Sequence, residues 1–277
     1  MRLVLLFVSA MVADGSAHAA DRGRYIGEIV AACGACHDTP GKGSAGHLAG
    51  GFIIREPGFV AVVPNITPDR ATGIGNWTDA EITAAIRNGI RPDGSHIGVP
   101  MPFELYRDMA DSDVTAVIAW LRSVPPVVNA IAAKSKYDVP PRGFAPPVGA
   151  VTGPPRGAVA NGKYLASLAH CFECHSPRLA SGGIDWANAG RGAHVFRGPW
   201  GAAVSANLTA SRDTGLGEWS DDRIVQTLVT GKSADGRSLA PQMASRAPLF
   251  AQWTATDMRD LVAYLRALPA AEANVAP

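Results

Sequence analysis

Charge and aromatic rings are both scarce in this chain of 277 residues: Asp, Glu, Lys and Arg make up 18% of it, and Phe, Trp and Tyr 7%. The charges nearly cancel, leaving a net +1, which excludes the basic stripe that nucleic-acid binding demands. No apolar run after residue 19 approaches the roughly 20 residues needed to cross a bilayer, so the mature chain is expected to have no membrane span. There are only four cysteines, and two five-residue stretches use all of them, so none is left for a structural disulfide elsewhere. Glycine and proline, at 30 and 21 residues, are plentiful. Much of the chain should therefore be loop, wrapped around something that supplies apolar bulk the polypeptide lacks. The length allows two domains of ordinary size, each with its own core.

The two stretches are Cys33-Gly34-Ala35-Cys36-His37 and Cys171-Phe172-Glu173-Cys174-His175. Each is Cys-x-x-Cys-His, the pattern for attaching a c-type haem, in which two thiols bond the porphyrin vinyl groups and the histidine takes one axial position on iron. Residues three apart on a helical turn share a face, and the next residue swings its ring toward the middle of that face. A zinc half-site, a thioredoxin-like redox pair or a disulfide are the alternatives for a lone Cys-x-x-Cys. A zinc site built from all four thiolates would not require a histidine after each pair. Two copies predict two covalently bound haems c.

The halves repeat well beyond the cysteines. At an offset of 142, Asn65-Ile66-Thr67 matches Asn207-Leu208-Thr209, and Thr72-Gly73-Ile74-Gly75-Asn76-Trp77 matches Thr214-Gly215-Leu216-Gly217-Glu218-Trp219. Arg55 pairs with Arg197, Gly89 with Gly231 and Met101 with Met243; the offset is 138 at the cysteines and 144 at Leu121 and Leu265. This is a duplicated domain. Each copy reads as mostly helical. One helix is expected to run through the haem motif, over 24–36 and 162–174. A second starts after Trp77, with Thr78 as cap and Glu81 closing a capping box, or at Ser220, and stops at Gly89 or Gly231. The last helix covers 112–123 or 256–267 and ends before a proline. Between the copies, Pro125 to Pro155 holds eight prolines, which predicts a strap wrapped across both domains and docked by Val127, Val128, Ile131, Tyr137 and Phe144, in preference to a semi-rigid spacer.

Met1 to Ala19 reads as a secretory signal, with Arg2 as the charged start, Leu3 to Ala13 as the apolar run and Ala17-His18-Ala19 as the cleavage site. The mature chain is then expected to begin near Ala20, in the bacterial periplasm.

A haem iron held by one histidine has a sixth position. Met101 and Met243 occupy equivalent places in proline-containing loops between the second and last helices, and a thioether there would raise the reduction potential. Met109 has no counterpart in the repeat, and Met258 lies on an apolar helical face, so both read as core filler. His47, His96, His170 and His194 do not recur between the copies. Arg55, Arg197, Trp77 and Trp219 do recur and suit haem propionates, since a guanidinium and an indole N–H both donate to carboxylates, although packing or exposure explains them equally well. Carbonyls near Pro40 and Pro177 are the expected acceptors for the second ring N–H of His37 and His175.

Asn65-Ile66-Thr67-Pro68-Asp69, the run Thr72 to Asp79 and the Met101-Pro102 loop resemble the class I cytochrome c domains in cytochrome subunits of bacterial membrane-associated dehydrogenases that oxidise alcohols, gluconate or aldehydes. The resemblance covers nearly all of the chain after the signal. It implies an all-α fold of two tandem class I cytochrome c domains joined by a Pro-rich linker, divided as signal 1–19, first domain 20–125, linker 126–156 and second domain 157–277. It further implies thioethers at Cys33, Cys36, Cys171 and Cys174, and axial ligands His37, Met101, His175 and Met243. The second unit departs from the pattern at Ala210-Ser211 and at Gln242. The implied function is electron transfer, from a periplasmic or membrane-associated dehydrogenase to an oxidase or another cytochrome of the respiratory chain. The alternative is a di-haem peroxidase or oxidase in which Met243 is displaced and one iron opens.

Overall fold

The computed structural model describes residues 21–143, 145–179, 183–198, 201–233 and 235–273. The expected signal, 1–19, and the expected docking residue Phe144 lie outside them. The chain divides into two compact units, Met1–Pro154 and Pro155–Pro277. The first runs α1 (Tyr25–Val30), α2 (Gly34–His37), β1 (Ile53–Glu56), β2 (Phe59–Val62), α3 (Asp79–Asn88), α4 (Phe103–Tyr106), α5 (Asp111–Ser123) and β3 (Lys136–Tyr137). The second runs α6 (Ala158–Leu168), α7 (Cys171–Cys174), β4 (Val195–Gly198), β5 (Gly201–Val204), α8 (Asp221–Thr230), α9 (Pro241–Ala244), α10 (Ala247–Phe250) and α11 (Ala255–Ala267).

The core of each unit is a crossing of its first and last helices. Gly23 and Gly162 mark the crossings: a Cβ on Gly23 would stand 1.9 Å from the Ala116 carbonyl oxygen, and one on Gly162 the same distance from that of Asp260. Only a residue without a side chain lets the backbones approach this closely. Ten residues separate Gly23 from Cys33, but nine separate Gly162 from Cys171. The first unit absorbs the extra residue by widening its helix to π-type winding over Tyr25–Val30, while α6 stays α-helical. Ile26, Leu165, Leu168 and Leu261 are buried at these crossings.

The capping signals hold. Thr78 Oγ1 accepts from the Glu81 N–H at 3.2 Å while Glu81 Oε2 accepts from the Thr78 N–H at 2.7 Å, and Ser220 caps α8. Gly89 and Gly231 end α3 and α8 with φ of +63° and +65°. Arg122 and Arg266 on the last helices staple the entry to these helices, each bonding the carbonyl of Trp77 or Trp219 and the carboxylate of Asp79 or Asp221.

The structure corrects three expectations. The fold is mostly helical but not all-α, since each unit holds an antiparallel hairpin, β1–β2 and β4–β5. Pro57-Gly58, with Gly58 at φ +90°, turns the first hairpin, and its short strands are too brief to show a period. Second, no single helix runs through the haem motif: Ala32 and His170 take left-handed conformations, φ +52° and +44°, and break the chain just before Cys33 and Cys171. Third, the proline-rich segment expected to join the domains is the preferred strap and not the spacer, and it lies along the first unit. Val127 O accepts from Asn65, Ser135 Oγ accepts from the Val62 N–H, and β3 adds to β2, where Tyr137 stacks on Phe59. Val148 exchanges hydrogen bonds with Asn88, and Val151 donates to Asp111. Val128, expected to dock, is 75% exposed.

Candidate haem sites

The left-handed residue ahead of each motif lets one fresh helical turn begin at the first cysteine. His37 N–H then donates to the Cys33 carbonyl and His175 N–H to that of Cys171, both at 2.9 Å, so the two thiols and the imidazole share a single turn. No disulfide joins any of the four cysteines.

Each imidazole is oriented by a backbone carbonyl. His37 Nδ1 lies 2.9 Å from Pro64 O, and His175 Nδ1 lies 2.8 Å from Ala206 O. A carbonyl oxygen only accepts, so Nδ1 carries the proton and Nε2 keeps its lone pair. These acceptors replace the carbonyls expected near Pro40 and Pro177. The acceptor segments are reached by glycine: Gly50 and Gly192, at φ +72° and +70°, donate to the carbonyls of His37 and His175. A Cβ on Gly50 would meet Pro64 C at 2.4 Å, and one on Gly192 would meet Ser205 O at 2.4 Å. Asn65 and Asn207, one residue past the acceptors, fix the same segments. The Asn65 amide donates to Thr72 Oγ1 and Val127 O while its oxygen accepts from the Thr67 N–H, and Asn207 does the same with Thr214, Ala271 and Thr209.

Burial pushes both imidazoles below the usual histidine range, against the pull of their carbonyl partners, which keeps them neutral as an iron ligand must be. Burial also pushes the Cys171 thiol up to about 12 and the Cys174 thiol to about 11. An activated redox pair would show the opposite, a depressed thiol.

The outer rims differ between the units. Asp38 Oδ1, next to His37, accepts from Leu48 N–H at 2.8 Å and lies 3.0 Å from His47 Nδ1. The matching position is Ser176, whose Oγ accepts from Gly190 N–H. The second motif instead carries His170 against Glu173 at 3.2 Å, and Arg178 donating to Glu173 O. A cleft of about 300 Å³ beside the first motif is lined by Gly34, Ala35, Thr39, Pro40 and Phe52, and the motif's cysteines and histidine do not line it.

Met101 is half-buried in a loop held by the strap, where Tyr137 Oη donates to Val99 O at 3.0 Å. Met243 is half-buried too, but sits on the one-turn helix α9 rather than in the expected loop. Arg246, three residues on, is half-buried, and its N–H donates to Met243 O at 3.1 Å. Arg55 and Arg197 are exposed on β1 and β4, without a hydrogen bond or ion pair among the described residues. The indoles of Trp77 and Trp219 are half-buried, and Arg223 stacks on Trp219 at 4.1 Å. The carbonyls of Pro64 and Ala206 and the Asp38–His47 pair escaped sequence reasoning. The Asn-x-Thr repeat was the one available signal for the carbonyls.

A family model for cytochrome c matches residues 14–125 and 159–269. The chain belongs to the cytochrome c family. Its members hold haem c covalently, and the donors present fit that group: four thiols outside any disulfide and two neutral imidazoles with Nε2 unprotonated. Among curated relatives, this cytochrome is 33% identical over 265 residues to the fructose dehydrogenase cytochrome subunit of Gluconobacter japonicus, covering 90% of this chain and 52% of the relative. It is 33% identical over 287 residues to the alcohol dehydrogenase (quinone) cytochrome c subunit of Gluconobacter oxydans (strain 621H), covering 94% and 58%. It is 31% identical over 255 residues to a diheme cytochrome c-type protein of Cereibacter sphaeroides, covering 87% and 83%. The cytochrome spans about half the length of the two dehydrogenase subunits. Among the described residues no helix is long and apolar enough to cross a membrane.

Proposed function

We propose that this cytochrome carries electrons in the bacterial periplasm, from a dehydrogenase to the respiratory chain, through two covalently bound haems. Cys33 and Cys36 would hold one haem and Cys171 and Cys174 the other, with His37 and Met101, and His175 and Met243, as the residues that would ligate iron. Bound there, each haem supplies a one-electron couple. The chain's own part is to fix the ligands: Pro64 O and Ala206 O hold the imidazoles in one tautomer and orientation, and buried surroundings keep them neutral. A haem whose iron is held by a histidine and a methionine would have no position open for substrate. A protein that gains one electron and loses one makes no bonds. The matched histidine–carbonyl geometry in two copies carries this proposal, supported by relatives that are cytochrome subunits of dehydrogenases. The signal-like residues 1–19 support export to the periplasm.

Intact mass and the ferric spectrum of the purified full chain test it. Two covalent haems and a sulfur-to-iron band integrating to both are expected. Fewer than two haems, or a high-spin iron that turns over peroxide, overturns it.

A further inference from the structure

We propose that Tyr137 is a positioning residue for Met101, keeping its thioether in place for the first iron, an assignment that rests on the electron-transfer proposal above. The two methionines are seated differently. Met243 lies in a helical turn of its own, where the Met243 and Ala244 N–H groups donate to Ala240 O at 2.9 Å and Ser245 N–H donates to Pro241 O at 3.0 Å. Met101 lies in a bend ahead of α4, and its N–H reaches Gly98 O only at 3.4 Å, longer than an ordinary hydrogen bond. What its own backbone does not supply must come from outside the loop.

The strap supplies it. Tyr137 Oη donates to Val99 O at 3.0 Å, two residues before Met101. The ring lies so close over Gly98 that a Cβ there would stand 2.4 Å from Tyr137 Cζ, which only glycine avoids. The offset of 142 that pairs Met101 with Met243 puts Ala240 opposite Gly98. The unit whose methionine has its own turn thus carries a side chain where the other makes room for a ring. Tyr137 is itself anchored: β3 pairs it with Phe59 on β2, the two rings stack at 5.9 Å, and Asp138 N–H donates to Gly58 O at 2.9 Å. A hydroxyl on a fixed arm restrains the loop, so losing that bond raises the share of molecules in which the thioether is displaced. The apparent affinity of a competing ligand rises with that share.

Imidazole titration of the ferric, haem-loaded full chain tests this, with loss of the sulfur-to-iron band as the readout. In a Met243→Leu background the remaining band reports the first haem, and Tyr137→Phe is expected to bind imidazole there about fivefold more tightly. In a Met101→Leu background the band reports the second haem, and Tyr137→Phe should change nothing. Ser135→Ala removes another anchor of the strap, the bond it accepts from Val62 N–H at 2.9 Å, and should lower stability without changing imidazole affinity. Unchanged affinity at the first haem overturns the assignment. An equal rise at the second haem, or with Ser135→Ala, does so as well, because Tyr137 would then be one fastener of the strap among others. If Met101→Leu leaves the whole band in place, the axial ligation assumed by the electron-transfer proposal fails instead.

Discussion

Replacing Gly162 with alanine tests whether the helix crossing beneath the second haem site is as tight as the backbone indicates. A Cβ there would lie 1.9 Å from Asp260 O and 2.7 Å from Tyr264 Cβ, so α6 and α11 must part before it fits. Helix propensity works the other way, favouring alanine over glycine by about 1 kcal/mol. Overpacking costs about 1–3 kcal/mol, and the upper end applies because the obstacle is a carbonyl that cannot rotate aside. Separation also thins the contacts of Leu165, Leu168, Leu261 and Leu265, all buried. The net expectation is a loss of about 2 kcal/mol, or roughly 8 °C in melting temperature for a unit of this size. The assay is thermal unfolding of the haem-loaded chain, followed by far-ultraviolet circular dichroism and haem absorbance. Gly153→Ala, where nothing lies within 4 Å, serves as control and should change stability by less than about 0.5 kcal/mol. If Gly162→Ala melts with or above the unsubstituted protein, the propensity term has won and the close crossing is wrong.

Met101→Leu and Met243→Leu should each lower one midpoint while leaving two haems by mass; unchanged midpoints in both would remove the methionines from the axial positions. Asn207→Ala should free the Ala206 carbonyl from its anchored segment and cost about 1–3 kcal/mol by leaving the Thr209 N–H unpaired, with a shifted midpoint at that site, and chemical denaturation with redox titration checks both. Asp69 accepts from Thr72 N–H at 2.6 Å, Thr72 Oγ1 at 2.7 Å and Ala71 N–H at 3.1 Å, and the Thr72 bonds hold its carboxyl below the usual range. A lowered folded pKa gives stability that is complete above the unfolded value near ~3.9 and is lost as pH falls through the folded one. Asp69→Asn should therefore weaken the first unit at neutral pH and flatten its loss of stability on acidification, as urea midpoints at neutral and acid pH would show.

The motifs, the duplication and the caps of α3 and α8 were legible because each depends on residues close in sequence. Thr78 and Glu81, three apart, form one local structure whatever packs around them. The break before each motif was not legible, since neither Ala32 nor His170 announces a positive φ; the helix crossing and the turn of thiols dictate it together. The π-winding of α1 follows from counting residues against a fixed endpoint, which requires knowing that Gly23 and Gly162 sit at the same crossing. The hairpins were missed because strands of four residues carry too little period, and the strap's path is set by single side chains such as Asn65, Asn88 and Ser135, distant in sequence from their acceptors and donors.

What the two units share is backbone, and what separates them is side chains at the motif's rim. The left-handed residue, the glycine that donates to the motif histidine's carbonyl, the carbonyl that receives its ring N–H and the asparagine behind that carbonyl occur twice in the same relation. Around them Ala32 faces His170 in the alignment, Ala35 faces Glu173, Asp38 faces Ser176 and Pro40 faces Arg178. Each histidine thus has the same tautomer and the same kind of acceptor, although His37 is buried and His175 only half-buried. An inequality in electron affinity between the sites would then come from what surrounds it: the side chains of the rim, and the different seats of Met101 and Met243, one in a loop held by the strap and the other on a helical turn.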